Sequence, residues 1–115
     1  MGSMWIMLNS GPVSVVAHNE KPSVLLVRAR TREHLESALG SGLSDRVFEL
    51  KSADYRFRAE VERADWAARL ADLTDAIDYG NFKNSVKELG LKQQYLSIWD
   101  ILAKAYGAYG SKGEG

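Results

Sequence analysis

The chain contains no cysteine. Disulfides, zinc–thiolate sites, iron–sulfur clusters and a cysteine nucleophile are therefore excluded. It also has no excess of charge: 15 Lys and Arg balance 15 Asp and Glu over 115 residues. That balance excludes a generally basic nucleic-acid coat and an acidic tail protein, but not a local charged patch. No stretch approaches the ~18 uninterrupted apolar residues of a membrane span. The apolar start is broken by Asn9, Ser10, Gly11 and Pro12. The two histidines, His18 and His34, fall on different segments with no HxxxH or HxH spacing, so no metal site is expected. Gly40-Ser41-Gly42 lacks the Lys-Ser/Thr that would make it a phosphate loop, and no serine sits in a nucleophile elbow. Asp72 and Asp75 fall on the polar face of an expected helix, as a solvated stripe rather than an acid/base pair. No cofactor and no catalytic residue is expected.

The length is that of one domain with one core. Hydrophobic residues at 45% and charged residues at 26% are globular values, which argues against disorder. Residues 1–3 read as a cloning scar ahead of Met4, residues 4–106 as a single domain, and residues 107–115, with four glycines in nine, as a frayed tail. With no cysteine and no export signal, a cytoplasmic protein is expected.

Trp5 to Leu8 is a short apolar run. Residues 13–18 (VSVVAH) and 23–30 (SVLLVRAR) read as strands of a hairpin joined by the turn 19–22. Thr31 is placed to cap a helix over 32–39, and Gly40 to stop it. Residues 46–50 (RVFEL) and 55–61 (YRFRAEV) read as strands. A long helix over about 62–78 places Trp66, Leu70, Leu73 and Ile77 on one buried stripe. Asn81 caps a short turn over 81–86, in competition with a capping box at Ser85 and Glu88; Gly90 argues for a break either way. The last helix, about 91–106, puts Leu91, Tyr95, Ile98, Leu102 and Ala105 on one face, widened by Trp99 and Tyr106.

Residues 23–78 thus follow the order β-α-β-β-α, which is the ferredoxin-like order without its last strand. The strand over 13–18 is able to fill the missing edge. The expected fold is α+β, a two-layer antiparallel sheet with helices on one face, ferredoxin-like or a permuted variant, with an extra C-terminal helix.

Strict alternation over 55–61 puts Tyr55, Phe57, Ala59 and Val61 on one face and Arg56, Arg58 and Glu60 on the other. On the strand over 23–30, Arg28 and Arg30 point away from Leu25, Val27 and Ala29. In neighbouring strands, Arg28, Arg30, Arg56 and Arg58 gather on one sheet face suited to phosphate or carboxylate. The competing readings are that these arginines pair with Glu49, Glu60 and Asp54, or lie under the final helix. A second candidate is the polar and aromatic helix junction carrying Asp78, Tyr79, Asn81, Lys83 and Asn84; its competing reading is a pair of helix caps with Phe82 as an apolar plug.

The segments MWIMLN at 4–9, LLVRAR at 25–30, DYRFR at 54–58 and IDYGNFKNSV at 77–86, with Tyr95 and Trp99, resemble a family of small uncharacterised bacterial proteins of about this length. The resemblance spans residues 4 to about 102. It implies no activity, cofactor or partner, and carries over no catalytic residue. It does place the arginine strands and the 78–86 junction within the shared segments.

The reading that follows is a small non-enzymatic binding module whose partner is an acidic protein or an anionic small ligand. A phage- or mobile-element-borne inhibitor of a host system is the runner-up. A nucleic-acid-binding sheet comes third, weakened because Tyr55 and Phe57 alternate away from the arginines. No membrane partner is expected, and an edge strand at 5–8 or 46–50 is suited to pairing across a homodimer.

Overall fold

The structure, a computed structural model, describes residues 4–107. The expected scar at 1–3 and all but the first residue of the expected tail lie outside the described residues. The chain divides into two compact units, one ending at Ile77 and the other starting at Asp78.

The first unit is an antiparallel sheet of five strands: β1 (Met4–Leu8), β2 (Gly11–Ala17), β3 (Val24–Ala29), β4 (Phe48–Glu49) and β5 (Phe57–Glu62). Their order is β1-β2-β3-β5-β4. β2 therefore lies beside β3, at the position the β-α-β-β-α order left vacant, and β1 extends the sheet by one more strand. Two helices, α1 (Arg32–Leu39) and α2 (Arg63–Asp75), pack on one face, so the fold is α+β with helices on one side.

The β-branched and small residues of the strands explain that choice of face. Val13 and Val15, then Leu25, Val27 and Ala29, then Ala59 and Val61 all turn toward the helices, where they meet Leu35, Ala38, Leu39 and Trp66 in one core. Directly paired residues share a side of the sheet. Trp5, Ser14, Arg28 and Arg58 are linked by register across β1, β2, β3 and β5 on the other, open side.

α1 begins where expected. The Thr31 hydroxyl accepts from the His34 N–H at 3.1 Å, and the chain turns out of the helix at Gly40 with φ +78°. Gly11, which opens β2, has φ +141°, and a side chain there would collide with the His34 ring.

Four expectations are corrected. The segment 46–50 is a 3-10 turn (Ser44–Arg46) followed by a strand of only two residues, because its sole partner, β5, begins at Phe57 rather than Tyr55. α2 stops at Asp75, so Ile77 lies beyond the buried stripe and is exposed.

In the second unit, α3 (Phe82–Ser85) is capped by Asn81, whose Oδ1 accepts from the Asn84 N–H at 3.2 Å. The Ser85–Glu88 capping box does not form. Glu88 itself caps α4 (Leu89–Ala105), accepting from the Leu91 and Gly90 N–H groups, and α4 runs straight through Gly90. The fourth correction concerns the face of α4. Leu91 and Tyr95 are buried with Val86, and Phe82 packs against them. Ile98, Leu102 and Tyr106 are exposed.

Candidate functional site

Arg28 on β3 and Arg58 on β5 stand directly opposite one another. Like charges in directly opposed positions repel, so the surrounding residues must offset that cost. Arg28 Nη2 donates to the Ser14 hydroxyl on β2 at 2.7 Å. Arg58 Nε donates to the backbone carbonyl of Tyr55 at 3.0 Å. The guanidinium carbons of Arg28 and Arg30 lie over the Tyr55 ring, 4.6 and 4.3 Å from its centre. The negative face of the ring attracts both cations.

Tyr55 therefore does not continue the alternation of β5 into the apolar layer, as the sequence pattern suggested. The backbone is irregular at Tyr55 and Arg56, and it joins the sheet only at Phe57. Released from the pleat, the buried Tyr55 ring gathers the arginines from the open side. Its backbone N–H is satisfied locally by Asp54 Oδ1 at 2.8 Å.

The carboxylates named as possible partners are engaged elsewhere or leave the cluster alone. Glu49 pairs with Arg56 at 3.2 Å, which removes Arg56 from the group. Glu60 takes Lys21 and His18, each at 3.2 Å. His18 Nδ1 accepts from the N–H groups of Glu20 and Lys21, which leaves Nε2–H to donate to Glu60. The Lys21 ammonium first, and His18 second, hold the Glu60 carboxyl below the usual carboxylate range.

The remaining arginines have fixed duties. Arg32 pairs with Glu36 and Arg46 with Asp65. Arg63 donates to the Pro22 carbonyl, and Arg69 to the carbonyls of Ser37 and Ala38 at the end of α1. Arg28, Arg30 and Arg58 alone have neither a carboxylate within salt-bridge distance nor a place at a helix end among the described residues.

A shallow pocket of about 300 Å³ adjoins this cluster, lined by Met4, Trp5, Ser14, Val16 and Arg28. Among the described residues, Arg28 is its only charged lining residue, and Arg28 Nε is buried without a hydrogen-bond partner. Ser14 is 2% exposed, and Trp5 is 80% exposed. A larger cleft of about 440 Å³ lies between α1 and α2, but its two cations, Arg46 and Arg69, are those already committed to Asp65 and to the end of α1.

The second expected set lies in the other unit, where local structure accounts for much of it. Asn81 and Asn84 form the α3 cap described above. Phe82 stacks on Tyr95 at 5.6 Å between ring centres and meets Tyr79 at 6.3 Å. Burial pushes the Tyr95 phenol well above its usual range. Lys83 Nζ sits 4.4 Å from the centre of the Trp99 ring. Asp78 is exposed.

Sequence reasoning missed Tyr55, Ser14 and Trp5 as neighbours of the arginines. Ser14 did leave a signal, as a lone hydroxyl in the β-branched run VSVVA at the position facing Arg28. Among the described residues no cluster of three or more His, Asp or Glu is arranged to hold a metal ion, and no helix is long and apolar enough to cross a membrane. No family model, curated protein or solved structure matches the chain.

Proposed function

We propose that this chain is a small binding module that takes a carboxylate- or phosphate-bearing group, of an acidic protein or a small ligand, at Arg28, Arg30 and Arg58. The observation that carries this reading is the contrast among the arginines. Arg32, Arg46 and Arg56 are neutralised by carboxylates, whereas Arg28 and Arg30, drawn over the Tyr55 ring, and Arg58, held by the Tyr55 carbonyl, have no carboxylate within salt-bridge distance among the described residues. Holding like charges together costs free energy that a bound anion would offset. The ring and carbonyl of Tyr55 and the hydroxyl of Ser14 hold the guanidinium groups beforehand, which lowers the entropic cost of binding.

The test is a titration of the isotopically labelled chain with an oligoglutamate peptide. The Nε resonances of Arg28, Arg30 and Arg58 shift, and the effect weakens with salt. Arg30→Glu and Arg58→Glu each reduce affinity by about tenfold or more, the scale of one lost charge-assisted contact. Unchanged affinity in folded variants overturns the reading.

One observation favours nucleic acid as a second reading: the exposed Trp5 indole shares a pocket with Arg28, and so sets a stacking surface beside a cation. Oligothymidylate run in parallel separates the two. Tighter binding than oligoglutamate, lost in Trp5→Ala, selects the nucleic acid.

A further inference from the structure

The two edges of the sheet are built differently. β4 is two residues long and carries Glu49. β1 is five residues long, reads Met-Trp-Ile-Met-Leu, contains neither charge nor proline, and runs in unbroken register with β2. Sheet edges are normally protected from intermolecular pairing by shortness, lysine, proline or a bulge. β1 has none of these, and its Trp5 is 80% exposed.

The ladder also fixes which backbone groups face outward. Leu8 and Gly11 flank a two-residue turn and form a hydrogen-bonded pair, and such pairs alternate along an antiparallel ladder. Ile6 then spends its backbone groups on Val13, while those of Trp5 and Met7 point away from β2. Pro12, opposite Met7, agrees with this assignment, because it has no N–H to give to β1.

We infer that β1 pairs antiparallel with β1 of a second copy of this chain, about a two-fold axis through Ile6. In that register Trp5 of each copy lies opposite Met7 of the other, and Ile6 lies opposite itself. The outward N–H and C=O groups of Trp5 and Met7 meet their counterparts with the correct alternation. The indole packs on a thioether, a favourable contact. No formal charge meets its like, because the pairing segment has none. A strand of this composition suits its own copy better than an acidic or basic peptide, which it has no charge to recognise.

The two-fold axis stands perpendicular to the sheet, so both open faces lie on the same side of one ten-stranded sheet. The Arg28 strands of the two copies are then five strand spacings apart, about 24 Å. The inference does not depend on what the arginines bind.

Sedimentation velocity of the full chain over the micromolar range tests it. The expected result is a dimer. Met7→Glu and Trp5→Lys, both at exposed side chains, each weaken the dimer by about tenfold or more, since every lost cross-strand pair occurs twice. The double variant Trp5→Lys with Met7→Glu recovers it, because the introduced ammonium of each copy then faces the introduced carboxylate of the other. Circular dichroism verifies that each variant is folded. A monomeric chain overturns the inference, as does a dimer indifferent to both single changes, or a double variant no better than the singles.

Discussion

Within the first unit, eleven buried residues from three strands and two helices form one core cluster, while the second unit gathers three around Tyr95. Both units leave apolar side chains exposed, in different places. α4 carries Leu96, Ile98, Trp99, Ile101 and Leu102 on accessible positions, with Ile101 at 64%. The sheet unit exposes apolar side chains chiefly at its two edges, at Met4, Trp5 and Met7 on β1 and at Phe48 and Leu50 at or beside β4, and among its arginines Arg30 is exposed while Arg28 and Arg58 are half-buried. A sheet face covered by two helices satisfies the apolar half of each strand at once, so apolar periodicity and burial coincide there. A helix of 17 residues whose partner in its own unit is a helix of four cannot be covered on the whole of its apolar arc. Apolar spacing therefore identifies a core where a second layer exists, and only a helix where it does not.

Three measurements break or sharpen that contrast. The largest effect belongs to Leu35→Ala, a fully buried residue of α1, with an expected loss of about 2–5 kcal/mol in a denaturant melt and faster amide exchange throughout β2, β3 and β5. Leu91→Ala makes the same deletion in the small cluster and falls at or below the low end of that range, with faster exchange confined to α4. Equal losses from the two would refute the contrast in core strength.

Next in size is Asn81→Ala. Removing the acceptor of the Asn84 N–H costs about 1 kcal/mol, seen as faster exchange at that amide. Oligoglutamate binding is unchanged, which keeps this junction residue apart from the arginine cluster. Weakened binding at unchanged stability would make Asn81 a site residue instead of a cap.

The smallest effect is that of Glu60→Gln. Lys21 and His18 hold the native carboxyl below its unfolded value, so the charged form adds stability that is complete above the unfolded pKa and drains away as the pH falls through the lowered native one. The stability difference between wild type and variant is therefore level near neutrality, disappears in acid, and shrinks with added salt because the pair is exposed. A difference that grows on acidification would contradict the pairing.

Local chemistry made much of the first unit legible. α1 runs over the residues its Thr31 cap and Gly40 stop enclose, and Leu25, Val27 and Ala29 alternate against Arg28 as expected because both neighbouring strands pair along that strand's length. Tyr55 was misplaced for a physical reason. Its side chain fits the pattern YRFRAEV, but a pattern does not state where the ladder begins, and backbone outside the ladder need not alternate. The same cause shortened β4. Gly90 suggested a break on propensity alone, a cost of about 1 kcal/mol that a two-amide cap by Glu88 offsets. The contrast between occupied and unoccupied arginines was out of reach, because it depends on which carboxylates long-range contacts consume.

Residue 11 gives the turn between β1 and β2 an outsized role. The ring of His34 leaves no volume there for even a methyl, so the ribbon is pinned to α1 at one spot by the smallest residue available. Sliding β1 by one residue against β2, with the two-residue turn kept, would invert β1, because each step along a pleated strand exchanges its two sides. The indole of Trp5 would then be driven toward a layer already filled by Val13, Val15 and Leu35, and Ile6 would emerge in its stead. The register that sets Leu8 against Gly11 decides which aspect of the first strand the outside world meets.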